Sequence, residues 1–364
     1  MTGSTPADPS VARTPGRKVS LRDVAATAGV SPAAVSKVIR NAYGVSPGMR
    51  ERVQAAIDEL GYRPRFAARA MRGSSFTIGL ELPELSNDFF TQIVGGVATV
   101  LADTPYHLIV APGLGYLSAE AVLDSLIDRQ VDGIIALASK VPLERLEQVG
   151  TQVPLILLGR HEASVSFDTV NSDDVAGTRL VLDHLLGLGH TRIAHVTLRP
   201  WIATASQTLR HDTYVTHMER AGLEPQVSYV RLVEDSERVG AGTDSHRGVD
   251  RDVGEAVAEL LSRSPRPTAI FAGHDMLALD TLRVTRAAGL GPHEVAVVGY
   301  DGVAIADHPL VDLTTIDQSG PTMGATAIRL LMERILGDRS TAVHEEVGPA
   351  LRLGRTSAPP VATS

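Results

Sequence analysis

The segment GVSPG, Gly44 to Gly48, has the G-x-S-x-G spacing that lifts a nucleophilic serine onto a sharp strand-to-helix turn. That chemistry needs a buried strand ahead of the serine. A helical stretch and a loop precede it here, so Ser46 is expected to cap a helix instead. A second candidate is the set His184, His190 and His195, three imidazoles for a metal ion. Their spacings of six and five do not share one helical face, and the helix carrying the first ends at Gly189, so they read as structural. No P-loop, H-E-x-x-H or calcium-loop pattern occurs. We therefore expect no catalytic residue, no metal and no cofactor.

The stretch whose chemistry organises the chain is VSLRDVAATAGVSPAAVSKVIR, Val19 to Arg40. Leu21, Val24 and Ala25 recur at helical spacing. Gly29 falls where the helix end needs a left-handed backbone. Ser31 can accept from the free N–H groups that open a second helix, and Pro32 suits its first turn. Val35 and Val38 then face the first helix. This is the pattern of a helix-turn-helix, whose second helix enters the DNA major groove. The plain alternative is an ordinary helical hairpin.

Charge supports DNA. The 364 residues carry a formal charge of -8. Met1 to Ser75, however, holds 12 Lys and Arg against 5 Asp and Glu, a surplus of seven positive charges that leaves -15 for the remainder. A basic head on an acidic body is the footprint of a DNA-reading module joined to something that does not touch DNA. There are no cysteines, which excludes disulfides and thiolate zinc sites. No apolar run reaches the roughly 18 residues of a membrane span. The N-terminus lacks the apolar core of a secretory signal, so a cytoplasmic protein without membrane contact is expected.

Residues 1–17 are rich in Pro, Ser, Thr and Gly and are expected to be a disordered tail. Residues 18–63 form the head, closed by a third helix in MRERVQAAIDELGY. Residues 64–75, RPRFAARAMRGSS without its leading Arg63, suggest a hinge helix that folds in a minor groove with an apolar wedge between bases. From Phe76 short β-rich runs such as TIGLEL, VDGIIALAS, TAIFAGHD and EVAVVGYD alternate with helical stretches. Alternation implies parallel sheets covered on both faces. The span 76–350 is long for one sheet and is split into two lobes, with 351–364 as a C-terminal tail. Ligands of open α/β sheets sit beyond the strands' carboxyl ends. The loops Glu81–Phe90, Ala138–Lys140, Gly159–His161, Arg199–Trp201, Gly273–Asp275 and Gly299–Gly302 are therefore the candidate mouth.

In order along the chain, SLRDVAATAGVSPAAVSKVI, VSPGMRERVQAAIDELGYRP, NDFF, HLLGLGHTRIAHV, VVGYDG and LTTIDQ resemble the lactose-repressor/galactose-repressor (LacI/GalR) family. The resemblance spans about Val19 to Pro359. It implies an α/β fold: a three-helix helix-turn-helix head, a hinge helix, and two Rossmann-like lobes of the periplasmic-binding-protein type I kind with three crossovers. It implies a transcriptional regulator, a repressor rather than an activator, that binds a palindromic double-stranded operator as a homodimer. A small effector (sugar, sugar phosphate or sugar acid) would control it.

By position the resemblance assigns Ser31, Pro32, Ala33, Ser36 and Lys37 to base and phosphate contacts, and Arg22 and Ser46 to phosphates. Leu21, Arg40 and Ala68 complete the set. Met71 stands where the family usually has an intercalating Leu, and Arg65 replaces the usual Asn. Pro32 and Ala33 offer only apolar contact, so base reading leans on Ser36, Lys37 and the hinge. For the effector cleft it assigns the aromatic pair Phe89 and Phe90, then Arg210, His274, Asp301 and Gln318. Arg160 is taken as a ligand contact beside Gly159. The family's second-lobe aromatic, expected near Val249, is missing, and Trp201 is the candidate replacement. With Arg160, Arg199 and Arg210 this leaves a charged ligand open. No leucine heptad follows the lobes, so a dimer is expected rather than a tetramer. The competing reading is a metabolite-binding or enzymatic α/β protein whose basic head docks a protein.

Overall fold

The computed structural model describes residues 19–39, 43–62, 74–113, 118–200, 203–230 and 245–361, with the backbone alone for 245–252. The tail 1–17, nearly all of the hinge, and Arg40, Arg65, Ala68, Met71 and Trp201 lie outside them. The chain divides into two compact units, 1–73 and 74–364.

The first unit is a three-helix head: α1 (Leu21–Ala28), α2 (Pro32–Ile39) and α3 (Pro47–Leu60). Ser20 and Asp23 close a capping box at the start of α1, and Gly29 ends it at φ 66°. Ser31 Oγ accepts from Ala34 N at 3.1 Å, which opens α2. Ser46 takes the N-cap position of α3, where its side chain makes no capping bond. Val24, Ala25, Val35, Val38, Val53 and Tyr62 share one small core.

The second unit has two lobes. In the first lobe six parallel strands lie in the order β11-β5-β4-β3-β1-β2. They are β1 (Thr77–Leu82), β2 (His107–Pro112), β3 (Gly133–Leu137), β4 (Leu155–Leu158), β5 (Asp168–Ser172) and β11 (His344–Val347). Alternate residues of β3 go to opposite faces, as strand geometry requires. Ile135 and Leu137 meet α4 (Asp88–Leu101) and α11 (Gly320–Leu336). Ile134 and Ala136 meet α5 (Ala119–Asp128) and α6 (Leu143–Gln152).

The second lobe repeats the design with four parallel strands, β7-β6-β8-β9. These are β6 (Ile193–Leu198), β7 (Gln226–Val230), β8 (Ala269–Ala272) and β9 (Ala296–Val298). Helices α9 (Ser245–Ser262) and α10 (Asp275–Ala287) cover one face. Helices α7 (Asp174–Gly187) and α8 (Ala205–Arg220) cover the other. The chain crosses between lobes three times: from β5 to α7, from β10 (Thr315–Asp317) to α11, and from β11 to β12 (Ala350–Arg352). β10 and β12 pair antiparallel.

One boundary needs correction. Residues expected to trail off after 350 are built into the second lobe. Thr356 Oγ1 donates to Val297 O at 2.7 Å and accepts from Thr314 N at 2.9 Å, and Val361 N donates to His293 O at 3.0 Å. Two of the three histidines hold this segment: His184 Nε2 lies 2.9 Å from Ser357 Oγ, and His190 Nε2 lies 2.9 Å from Ala358 O. Hydrogen bonds, not an apolar run, tie the segment down, so hydropathy gave no sign of it.

Candidate functional site

The head presents a sorted surface. Val35 and Val38 are buried, while Ser31, Pro32, Ala33 and Lys37 are exposed and Ser36 is half-buried. Arg22 and Ser46 are exposed as well. Leu21 packs partly against the head's core, so only part of it is available to a partner. The second helix thus turns its polar and small residues outward on one side, the geometry needed to enter a groove.

In the second unit a cavity of about 60 Å³ lies where the strand ends of the two lobes meet. The first lobe supplies Asn87, Phe89, Phe90 and Ser172, and the second supplies Ser206, Arg210, His274, Asp301 and Gln318. Six residues singled out in the sequence therefore come together: Phe89, Phe90, Arg210, His274, Asp301 and Gln318. Asn87 caps α4 by accepting from Phe89 N at 3.0 Å, which aims the first turn at the cavity. The two phenyl rings lie tilted, with centroids 6.2 Å apart.

Each of the three guanidinium nitrogens of Arg210 bonds protein. Its Nε donates to Asp174 Oδ1 at 2.7 Å, Nη1 to Gly273 O at 2.9 Å and Nη2 to Gln318 Oε1 at 3.2 Å. Its guanidinium sits 3.8 Å from the centroid of the Tyr300 ring, a cation–π contact that fixes the plane of the fork. Burial pushes the Asp174 carboxyl up, but Arg210 and His161 outweigh it and hold the group below the ordinary range. His161 Nε2 lies 3.2 Å from Asp174 Oδ2 and 3.3 Å from Ser206 Oγ, so the loop after β4 touches the other lobe.

Asp301 follows β9 at φ 125°, a backbone that L-residues rarely adopt. Such strain persists where surroundings fix it, often at binding sites. Its Oδ1 accepts from Gln318 Nε2 at 2.7 Å, while Oδ2 is buried without a hydrogen-bond partner. Ser172 Oγ, on the opposite wall, is likewise buried and unpartnered. Burial first, then the neighbouring Asp275, drive the Asp301 carboxyl well above the usual range against the pull of Arg210. His274 is pushed down to about 4 by burial and by Arg210. It is therefore neutral near pH 7, and because Nδ1 accepts from Leu277 N at 3.3 Å its proton sits on Nε2.

Arg160 is a correction. Its guanidinium turns to Glu162, with Nε 3.0 Å from both carboxylate oxygens, and Nη1 donates to Ser139 O at 2.7 Å and Val141 O at 3.0 Å. It braces two first-lobe loops and does not line the cavity. The acid two residues away takes the fork that a ligand was expected to take. Asn87 caps α4 inside the loop Glu81–Phe90 expected at the mouth, whereas Ser172 closes β5 and Ser206 lies in the first turn of α8, and neither serine carries a sign in the sequence.

Geometry so far defines a class: a helix-turn-helix head joined to a two-lobed α/β binding domain with a cavity between the lobes. Comparison with known proteins narrows it. Residues 20–65 match the family described as "Bacterial regulatory proteins, lacI family", and residues 182–357 match "Periplasmic binding protein-like domain". The HTH-type transcriptional regulator CelR of Thermobifida fusca is 34% identical over 345 residues, covering 90% of this chain and 95% of CelR. A structure of a CelR–cellobiose complex superposes with a TM-score of 0.64 at 29% identity, covering 93% of this chain and 100% of that one. The fold is also that of a lac repressor dimer bound to operator and an anti-inducer, with a TM-score of 0.75 at 24% identity over 94% of this chain and 100% of that one. The chain belongs to the lacI family of bacterial regulatory proteins and is a DNA-binding transcriptional regulator.

Proposed function

We propose that this regulator is a repressor that holds a palindromic operator as a homodimer and answers to a sugar or sugar derivative in the cavity between its lobes. It carries out no catalysis and works in the cytoplasm; among the described residues no helix is long and apolar enough to cross a membrane. The observation that carries the effector half is that the buried, unpartnered Asp301 Oδ2 and Ser172 Oγ belong to residues that line one cavity together with two phenylalanines. A carboxylate oxygen accepts from ligand hydroxyls, and the rings stack on a ring face. The exposed side of α2, with Lys37, Ser36 and Ser31, carries the DNA half.

The test pairs two variants. Duplexes selected from a random library give the operator, and cellobiose, the ligand of the CelR complex, is the first effector tried. Lys37→Ala is expected to weaken operator binding by about 1–3 kcal/mol with effector affinity unchanged. Asp301→Ala is expected to keep operator affinity and lose the effector response. Normal release by effector in Asp301→Ala would refute the cavity assignment. Unaltered operator affinity in Lys37→Ala would refute the placement of α2 on DNA.

A further inference from the structure

The buried charges around the cavity do not cancel. Asp174, Asp275 and Asp301 are 1%, 0% and 2% exposed. Against these three carboxyls stand two guanidiniums: Arg210, the sole Lys or Arg among the described residues that line the cavity, and Arg352, whose charge acts on Asp275 from outside it. Arg210 gives its closest bond to Asp174, and its nearest approach to Asp301 is 3.6 Å. Asp275 sits behind Asp301 and accepts from Val303 N at 2.9 Å and Thr315 Oγ1 at 2.5 Å. Gln318 donates to Asp301 from beyond β10, and Asn87 faces it from the start of α4. His274 on α10 is uncharged, and His161 lies on the far side of Asp174. Tyr300 offers Asp301 no charge. A surplus negative charge in a dry site is far costlier than one proton taken up. Of the two carboxyls within reach of Arg210, Asp301 has the longer contact and the open oxygen; Asp275 already holds two donors.

We infer that the empty cavity holds Asp301 as a neutral acid, that an uncharged polyhydroxyl ligand sends its proton to solvent on binding, and that anionic sugars are refused. This rests on the reading of the cavity as an effector site. Ligand hydroxyls donate to the carboxylate and keep their own hydrogens; no ligand bond is made or broken. Donation to Oδ2 favours the charged form, so the carboxyl's proton passes to the buffer. A phosphate or carboxylate group has no such exchange to offer. It would meet a guanidinium already claimed by Asp174, an uncharged imidazole, and Asp301 itself.

Two arms on the full-length protein separate this from the reading beneath it. The first needs no ligand: thermal melts of the unmodified protein and of Asp301→Asn from about pH 5 to about pH 9. Asn keeps the acceptor that Gln318 uses and puts a neutral amide where Oδ2 was. A carboxyl raised in the folded state loses stability as pH climbs from its unfolded value to its folded one. The unmodified protein is therefore expected to fall progressively below Asp301→Asn toward the alkaline end, with the gap narrowest in acid. Parallel curves across the range would overturn the neutral acid.

The second arm is calorimetry near pH 7 in buffers of different ionisation heat, with cellobiose, glucose, glucose 6-phosphate and gluconate as probes. A neutral sugar is expected to bind with about one proton released per site and to lose up to about tenfold in affinity per pH unit below neutrality. The release is expected to vanish in Asp301→Asn, and the two anions to bind at least about tenfold more weakly. Binding heats that ignore the buffer would overturn the exchange, and tighter binding of either anion would overturn the refusal. Silence of all four compounds would sink the sugar reading of the cavity, while the melts would still decide the charge on Asp301.

Discussion

Glu81 shows at one residue what burial does to a charge. It lies wholly buried in β1, and both carboxylate oxygens lack a hydrogen-bond partner. Two residues earlier on the same strand face, a Cβ added at Gly79 would meet Leu126 of α5, so Glu81 points toward that apolar layer. Burial raises its carboxyl from the ordinary 4.5 to about 8. A raised acid leaves stability intact below its unfolded value and takes it away as pH rises toward the folded one. Glu81→Gln removes the ionisation. It is expected to match the unmodified protein near pH 4.5 and to be more stable by on the order of 3 kcal/mol at pH 7. Urea unfolding at both pH values checks this, and a gap that does not widen with pH would contradict it. The same scale shows what a sequence discloses about a site. Phe89 and Asp301 stand out because they sit at a helix start and after a strand end within matching motifs. Arg160 misleads because its partner, Glu162, two residues on, competes with a ligand for the guanidinium. Ser172 was invisible because the strand bearing it was not seen.

That strand is β5, and it marks where element reading stops. Strands buried on both faces in parallel sheets, such as β3 and β4, read as apolar runs. β5 is as buried, yet it carries Asp168, Thr169, Asn171 and Ser172. All of these but Ser172 have side-chain partners distant in sequence. Asp168 takes Arg334 Nη2 at 2.9 Å and Arg339 Nη2 at 2.7 Å, and Asn171 bonds the loop after β4. Only the folded state reveals such pairs, so no local pattern announces the strand. Length does not separate the legible α5 from the unannounced α6, both of ten residues, and β11 and β12 are half-exposed edges. Helices α4 and α11 were legible from their period, but their closeness was not. A Cβ at Gly96 would lie 2.1 Å from Pro321 O, and one at Gly324 would lie 2.1 Å from Ile93 O. Backbone, not a flexible side chain, stands in the way. Gly96→Ala or Gly324→Ala is therefore expected to cost about 1–3 kcal/mol or more by forcing the helices apart. Thermal unfolding reads the loss. Because α4 carries Phe89 and Phe90 into the cavity, ligand affinity is expected to fall in the same variants. Full stability in both would mean that the helices separate freely.

At the scale of the whole molecule the proposed function requires one equilibrium to serve both units. A ligand shifts it only by binding one lobe arrangement better than the other. Here the crossing segments supply that difference. The chain passes between lobes three times, and the cavity draws Ser172 from one side of the first crossing and Gln318 from the second. A molecule that bridges Ser172 and Asp301 acts on both lobes at once. Thermodynamics then fixes the size of the return effect: the factor by which effector weakens operator binding equals the factor by which operator weakens effector binding. Typical couplings of about 1–3 kcal/mol make that factor about 5–150. Titrating effector into free regulator and into the regulator–operator complex measures one side. Titrating operator with and without saturating effector measures the other. Equal factors are expected at a given salt concentration, although operator affinity itself falls steeply as salt rises because phosphate contacts release counterions. A factor of one on both sides, with effector still seated in the cavity, would mean that the lobes bind ligand without informing the head.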